Sequence, residues 1–194
     1  MMNYFEAIKN RRSIHALEDV AVVSDEQVVE IVETALTHVP TAFNGQETRA
    51  VVVFGDEHKE LWNRIEETAR EKNGNGDFSR TEARINGFRN GHGTVLYFQD
   101  TAITKGLQEK FPQLHQELDE WAQQNQGMLQ YAIWTGLEVV GYAASLQHMK
   151  AELKDEWNIP TSWKLIAQMP FGKQAQELNN KEIVPVQEKL IVIK

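Results

Sequence analysis

The chain has 194 residues, 41% hydrophobic and 25% charged, which is enough to bury a sizeable core and typical of a globular protein. A formal net charge of −8 argues against a nucleic-acid or anionic-membrane surface, whose affinity comes from clustered Lys and Arg. Cysteine is absent, which excludes disulfides, thiolate metal sites and a Cys nucleophile and fits a reducing, cytoplasmic setting. No stretch has the apolar length of a membrane span, and the N-terminus lacks the basic-then-apolar run of a signal peptide.

In chain order, Tyr4–Asn10 reads as a short helix ending in Arg11-Arg12-Ser13-Ile14-His15. Two guanidiniums and a hydroxyl form a compact anion-donor set, each guanidinium able to make two parallel hydrogen bonds. Alone, the same pair also suits a helix C-terminus, where cations complement the dipole. Residues 18–23 read as a linker, and Ser24-Asp25-Glu26-Gln27 as a capping box opening a helix that ends before Pro40. Val28, Ile31, Val32, Ala35 and Leu36 give that helix one apolar face.

The turn-rich Pro40-Thr41-Ala42-Phe43-Asn44-Gly45-Gln46 leads into Arg49–Phe54, a β-branched run expected to be a strand buried on both faces. An amphipathic helix is predicted over 57–72, an exposed turn at 73–77, and a polar helix over 78–89. A second strand follows at 94–98, then a polar region to residue 118 broken at Phe111-Pro112. Residues 126–144 are apolar almost all round, which predicts a helix buried in a domain centre or a subunit interface. Beyond it come Ser145-Leu146-Gln147-His148, a short helix at 153–159 closed by Pro160, and a third strand at 163–169. Residues 174–181 read as a loop, and Leu190–Ile193 as a terminal strand apolar enough to need a partner in this subunit or another. With no repeat and no linker that divides it, the chain 1–194 is expected to be one α/β domain, a small mixed sheet covered by helices.

The usual catalytic constellations are missing: no Gly-x-Ser-x-Gly elbow, no His-Glu-x-x-His helix, no Walker loop, and no two of the six histidines paired on one helix face. An enzyme without obvious side-chain reagents points to cofactor chemistry, in which the protein supplies binding and electrostatics.

Four motifs in order, Arg11-Arg12-Ser13, Pro40 through Gln46, Ser145-Leu146-Gln147-His148 and Met169-Pro170-Phe171-Gly172, resemble the FMN-dependent nitroreductases. Within them, the chain is similar to the small group that includes the yeast fatty-acid-repression mutant protein and bacterial copper-induced nitroreductases. The resemblance implies a three-layer α+β fold, a homodimer with FMN at the interface, and a C-terminal strand exchanged across it. It implies ping-pong turnover, with NADH or NADPH as reductant and a nitroaromatic or quinone as the small-molecule acceptor. A non-catalytic flavin-binding regulator or storage protein on the same fold is the alternative.

Carried onto this sequence, the resemblance gives Arg11 and Ser13 the FMN phosphate and ribityl chain, and Arg12 the pyrimidine edge. Asn44 and Gln46 would come from the partner subunit to the ribityl chain or ring. The backbone of Ser145, Leu146 and Gln147 would lie against the isoalloxazine and offer an N–H near N5, and Lys173 or Lys181 would complete the phosphate site. No catalytic side chain and no metal ligand is implied. The chain departs from larger members in three ways: Glu47 follows Gln46 where they carry Pro, Glu182-Ile183 follow Lys181 where many carry a Lys-x-Arg clamp, and it lacks room for the longer insertion that caps the flavin in them.

Overall fold

The protein is described from a computed structural model, which covers residues 2–178 and 180–194. Its centre is the strand β3, Gly93–Asp100, flanked on one side by β2, Thr48–Phe54, and on the other by β5, Trp163–Gln174. Short strands β1, Leu17–Glu18, and β4, Ala143–Ala144, add to β5. Every strand pair in this sheet is antiparallel, and the mixed character is confined to one isolated parallel bridge, Ser13 to Ala144.

Alternation along β3 builds two cores. Val95 and Tyr97 point to one face, where they pack with residues of α2, Asp25–His38, and α6, His115–Val139. Leu96 and Phe98 point to the other, against α3, Gly55–Asn73, and α4, Ser79–Arg89. The result is a helix–sheet–helix arrangement of three layers, completed by α1, Tyr4–Asn10, and α5, Thr101–Lys110.

The capping box at α2 is present as expected: Ser24 Oγ accepts from the Gln27 N–H at 3.3 Å and Gln27 Oε1 accepts from the Ser24 N–H at 3.2 Å. Four expectations are corrected. The helix placed at 126–144 begins eleven residues earlier, at His115, because Leu118 and Ala122 continue its buried face through a polar segment. It stops at Val139, where Gly141 takes φ +95° and the Tyr142 N–H reaches back to the Leu137 carbonyl. The strand expected to be buried on both faces is only half-buried, because β2 is the sheet edge. Residues 153–159 form a single 3-10 turn, Asp155–Trp157, and Leu190–Ile193 make no strand within this chain.

Candidate functional site

The Arg pair sits where α1 ends. Arg11 is the C-cap, its N–H bonded to the Ala7 carbonyl, and its backbone turns to φ −51°, ψ 124°, so the chain leaves the helix extended. That turn carries Ser13 into its bridge with Ala144, and the Ile14 N–H donates to the Ala144 carbonyl at 3.0 Å. The fold thereby brings Arg11-Arg12-Ser13 beside Ser145-Leu146-Gln147, two motifs far apart in sequence.

The second motif is held rigidly. The Ser145 N–H donates to the Pro170 carbonyl at 3.3 Å, and Gln147 exchanges backbone bonds with Gln168 at 2.7 and 2.9 Å. Both residues thus aim their N–H groups at β5, and strand alternation turns the Leu146 N–H the other way. Gln147 Nε2 donates to Ser145 Oγ at 3.1 Å, and Arg84 of α4 donates to Gln147 Oε1 at 3.0 Å.

Arg84 opens onto a groove of about 700 Å³ between α4 and the segment entering β1. Ser13, His15, Arg80, Arg84, Asn86 and Asn90 supply polar lining, and residues 175–178 form one lip that adds Gln176 and a carboxyl, Glu177. Burial, reinforced by the Arg84 guanidinium, holds His15 below its usual range. A smaller notch of about 80 Å³ adjoins, lined by Arg12, Glu138, Tyr142 and Gln174. Burial pushes the Glu138 carboxyl up, while the Arg11 guanidinium acts in the opposite sense.

Arg11 itself packs onto α6, its guanidinium 4.2 Å from the Trp134 ring centroid. Its Nε is buried and takes no hydrogen-bond acceptor among the described residues. A buried guanidinium N–H without an acceptor is costly, and an anion is the chemistry that would satisfy it.

The other sequence-derived candidates lie apart. Lys173 is exposed, opposite Glu18 in the β1–β5 pair, and Lys181 is exposed beyond it; neither lines the groove. Asn44 and Gln46 are exposed on the loop before β2 and do not line it either. That loop holds three side-chain-bearing residues in left-handed backbone: Phe43 at φ 54°, Asn44 at 53° and Gln46 at 52°. Phe43 stacks on Phe111 at 4.6 Å.

Arg80, Arg84 and His15 escaped the sequence reading. The signal was present: Arg80 and Arg84 are four apart on a predicted helix, and His15 lies two residues after Ser13. Among the described residues no cluster of His, Cys, Asp or Glu could hold a metal ion, and no helix is long and apolar enough to cross a membrane.

Comparison with known proteins identifies the family. The Nitroreductase family profile matches residues 8–173. Nitroreductase FRM2 of Saccharomyces cerevisiae is 34% identical over 177 residues, covering 88% of this chain and 87% of the yeast protein. Nitroreductase CinD from Lactococcus lactis, solved in complex with chloramphenicol, is 32% identical with a TM-score of 0.86, over 99% of this chain and 100% of that one. At 14% identity, the fold alone is shared with a protein from Exiguobacterium sibiricum solved in complex with FMN, at a TM-score of 0.70 over 100% of this chain and 98% of that one. The chain belongs to the nitroreductase family, and its role is that of an oxidoreductase.

Proposed function

We propose that this protein is an FMN-dependent NAD(P)H oxidoreductase that works as a cytoplasmic homodimer and reduces nitroaromatics or quinones by a ping-pong mechanism. The observation that carries the reading is the donor set of the groove. An acidic protein concentrates Arg80, Arg84, His15 and Ser13 on one concave surface with Glu177 as its one carboxyl, while Arg11, two residues before Ser13, keeps an unsatisfied buried N–H outside that lining. That set suits a phosphorylated, electron-accepting heterocycle. When bound, FMN supplies two-electron hydride chemistry between a nicotinamide and an acceptor.

The residues of the chain then have distinct tasks. Arg11 and Ser13 would hold the phosphate and ribityl end, with Arg12 and Arg84 as the cations for the pyrimidine edge. A guanidinium there favours negative charge on the ring, one of the few controls a protein has over flavin potential. The outward N–H of Leu146 would be the donor for N5. The frame formed by Ser145, Gln147 and Arg84 keeps that N–H fixed. Support for a nitroaromatic acceptor comes from the CinD complex, because chloramphenicol carries a nitrophenyl ring.

Support for the dimer comes from apolar surface that one chain leaves open. Ile191 and Ile193 are 87% and 93% exposed, and an apolar groove of about 560 Å³ runs between α2 and α6, lined by Ile31, Ala35, Val39 and Ala132. A second copy that covers both surfaces would bring its own Asn44 and Gln46 to the flavin.

Arg84→Ala tests the assignment. Loss of one charge-assisted contact, about 1.5–3 kcal/mol, should weaken FMN binding about 10- to 100-fold. Wild-type FMN affinity in that variant, measured by fluorescence titration, would remove Arg84 from the site. Parallel initial-velocity lines, with reductant and acceptor varied together, are expected for ping-pong turnover; converging lines would exclude it.

A further inference from the structure

Glu47 is a buried carboxyl that forms no ion pair among the described residues. It is 2% exposed, and among the described residues its Oε2 has no hydrogen-bond partner. Arg49, two residues on, is engaged with Asp100 at 3.2 Å instead. Burial of an ionisable group with so little compensation is expensive.

The contacts Glu47 does make all bear on one loop. Its Oε1 accepts from Asn125 Nδ2 of α6 at 2.6 Å. Its backbone carbonyl accepts from the Asp100 N–H at 2.8 Å, which ties the loop's end to the β3–α5 corner. Its Oε2 lies beneath Gly45, where an added Cβ would sit 3.0 Å from that oxygen and 2.8 Å from Leu107 Cδ1. The same stretch holds Phe43, Asn44 and Gln46 in left-handed backbone, which such residues keep only where their surroundings enforce it. The Gln46 N–H, bonded to Thr41 Oγ1 at 2.9 Å, closes the loop on itself.

We propose that Glu47 is a positioning residue: through Asn125 its buried carboxyl pins the 41–46 loop to α6 and fixes the backbone that presents Asn44 and Gln46 to the flavin of a second copy. This rests on the FMN reading above. Glu47 touches no cofactor itself. It sets the strained geometry of the residues that do, and Gly45 is small because the carboxylate and Leu107 fill the space beneath it.

The test compares how fast FMN leaves the holo-protein on dilution, followed by the rise of free-flavin fluorescence. Glu47→Met keeps the volume but removes the acceptor, and should release FMN at least about tenfold faster. Asn125→Leu removes the bond from the other side and should do the same, which keeps the test alive should Glu47→Met fail to fold. Glu47→Gln retains an acceptor for Asn125 and should stay within about threefold of wild type. A purely structural role would lower the melting temperature of Glu47→Met yet leave FMN release, measured well below melting, unchanged; that result overturns the proposal. So does Glu47→Gln releasing FMN as fast as Glu47→Met. A wild-type protein that holds no FMN would overturn the flavin reading itself, and it shows in the wild-type arm alone.

Discussion

His58 is fully buried at the hinge of α3, α4 and β3. Its Nδ1 lies 2.8 Å from Thr94 Oγ1 and its Nε2 3.2 Å from the Arg89 carbonyl, while the Trp62 indole N–H donates to the same Thr94 oxygen at 2.9 Å. One neutral tautomer satisfies all three bonds: Nε2–H donates to Arg89, and Nδ1 accepts from the Thr94 hydroxyl. Burial pushes the His58 pKa down to about 4. The unfolded chain takes up this proton near pH 6.5, the folded chain only near 4, so in between the unfolded state holds more protons. Stability from this group is complete above pH 6.5 and is lost as the pH falls toward 4, by up to about 3 kcal/mol. Melting temperature should therefore fall across that window, and His58→Gln, less stable at neutral pH, should show a flatter profile there. Parallel profiles for the two proteins would remove His58 as the cause.

Helix placement decides the width of the groove, and glycines decide helix placement. At Gly87 of α4 a Cβ would run into the backbone carbonyl of His15, which cannot move without shifting the segment that carries Ser13. Gly87→Ala should cost about 1–3 kcal/mol through overpacking, lowering the melting temperature by about 2–10 °C and weakening FMN binding with it. Gly136→Ala on α6 should cost less than Gly87→Ala. Its Cβ would meet a side chain rather than backbone, Ile31 Cγ2 at 2.6 Å, so Ile31 must shift, and about 1 kcal/mol of helix propensity offsets part of that repacking. Thermal melts of the pair would separate the two cases. Much of this scale was legible in sequence. The Ser24–Gln27 box, the break at Phe111-Pro112 and the β3 run each appear where local chemistry put them. The extent of α6 was not, because its polar first half is helical through packing by Leu118 and Ala122. In the site, Arg11 to Ser13 and Ser145 to Gln147 were legible as motifs. Arg84 was not, because what singles it out is the bond to Gln147, 63 residues away.

For the whole molecule, the apolar C-terminal segment and the groove between α2 and α6 are two apolar surfaces that one chain leaves open, and the proposed homodimer would cover both. The apolar run Leu190–Ile193 reads in sequence as a paired strand, and within this chain it forms none. Truncation after Lys181 should convert the dimer to a monomer by light scattering and strip FMN on purification; an intact, flavin-loaded dimer would place the interface elsewhere. The central claim is flavin-dependent electron transfer, and an absorption spectrum tests it most directly, taken before and after anaerobic addition of NADH or NADPH. We expect flavin bands that bleach on reduction and return when a quinone or nitroaromatic is added. Bands that persist with both reductants would contradict the oxidoreductase and leave a flavin-binding protein. Absence of bands even after reconstitution with FMN would contradict the cofactor site altogether.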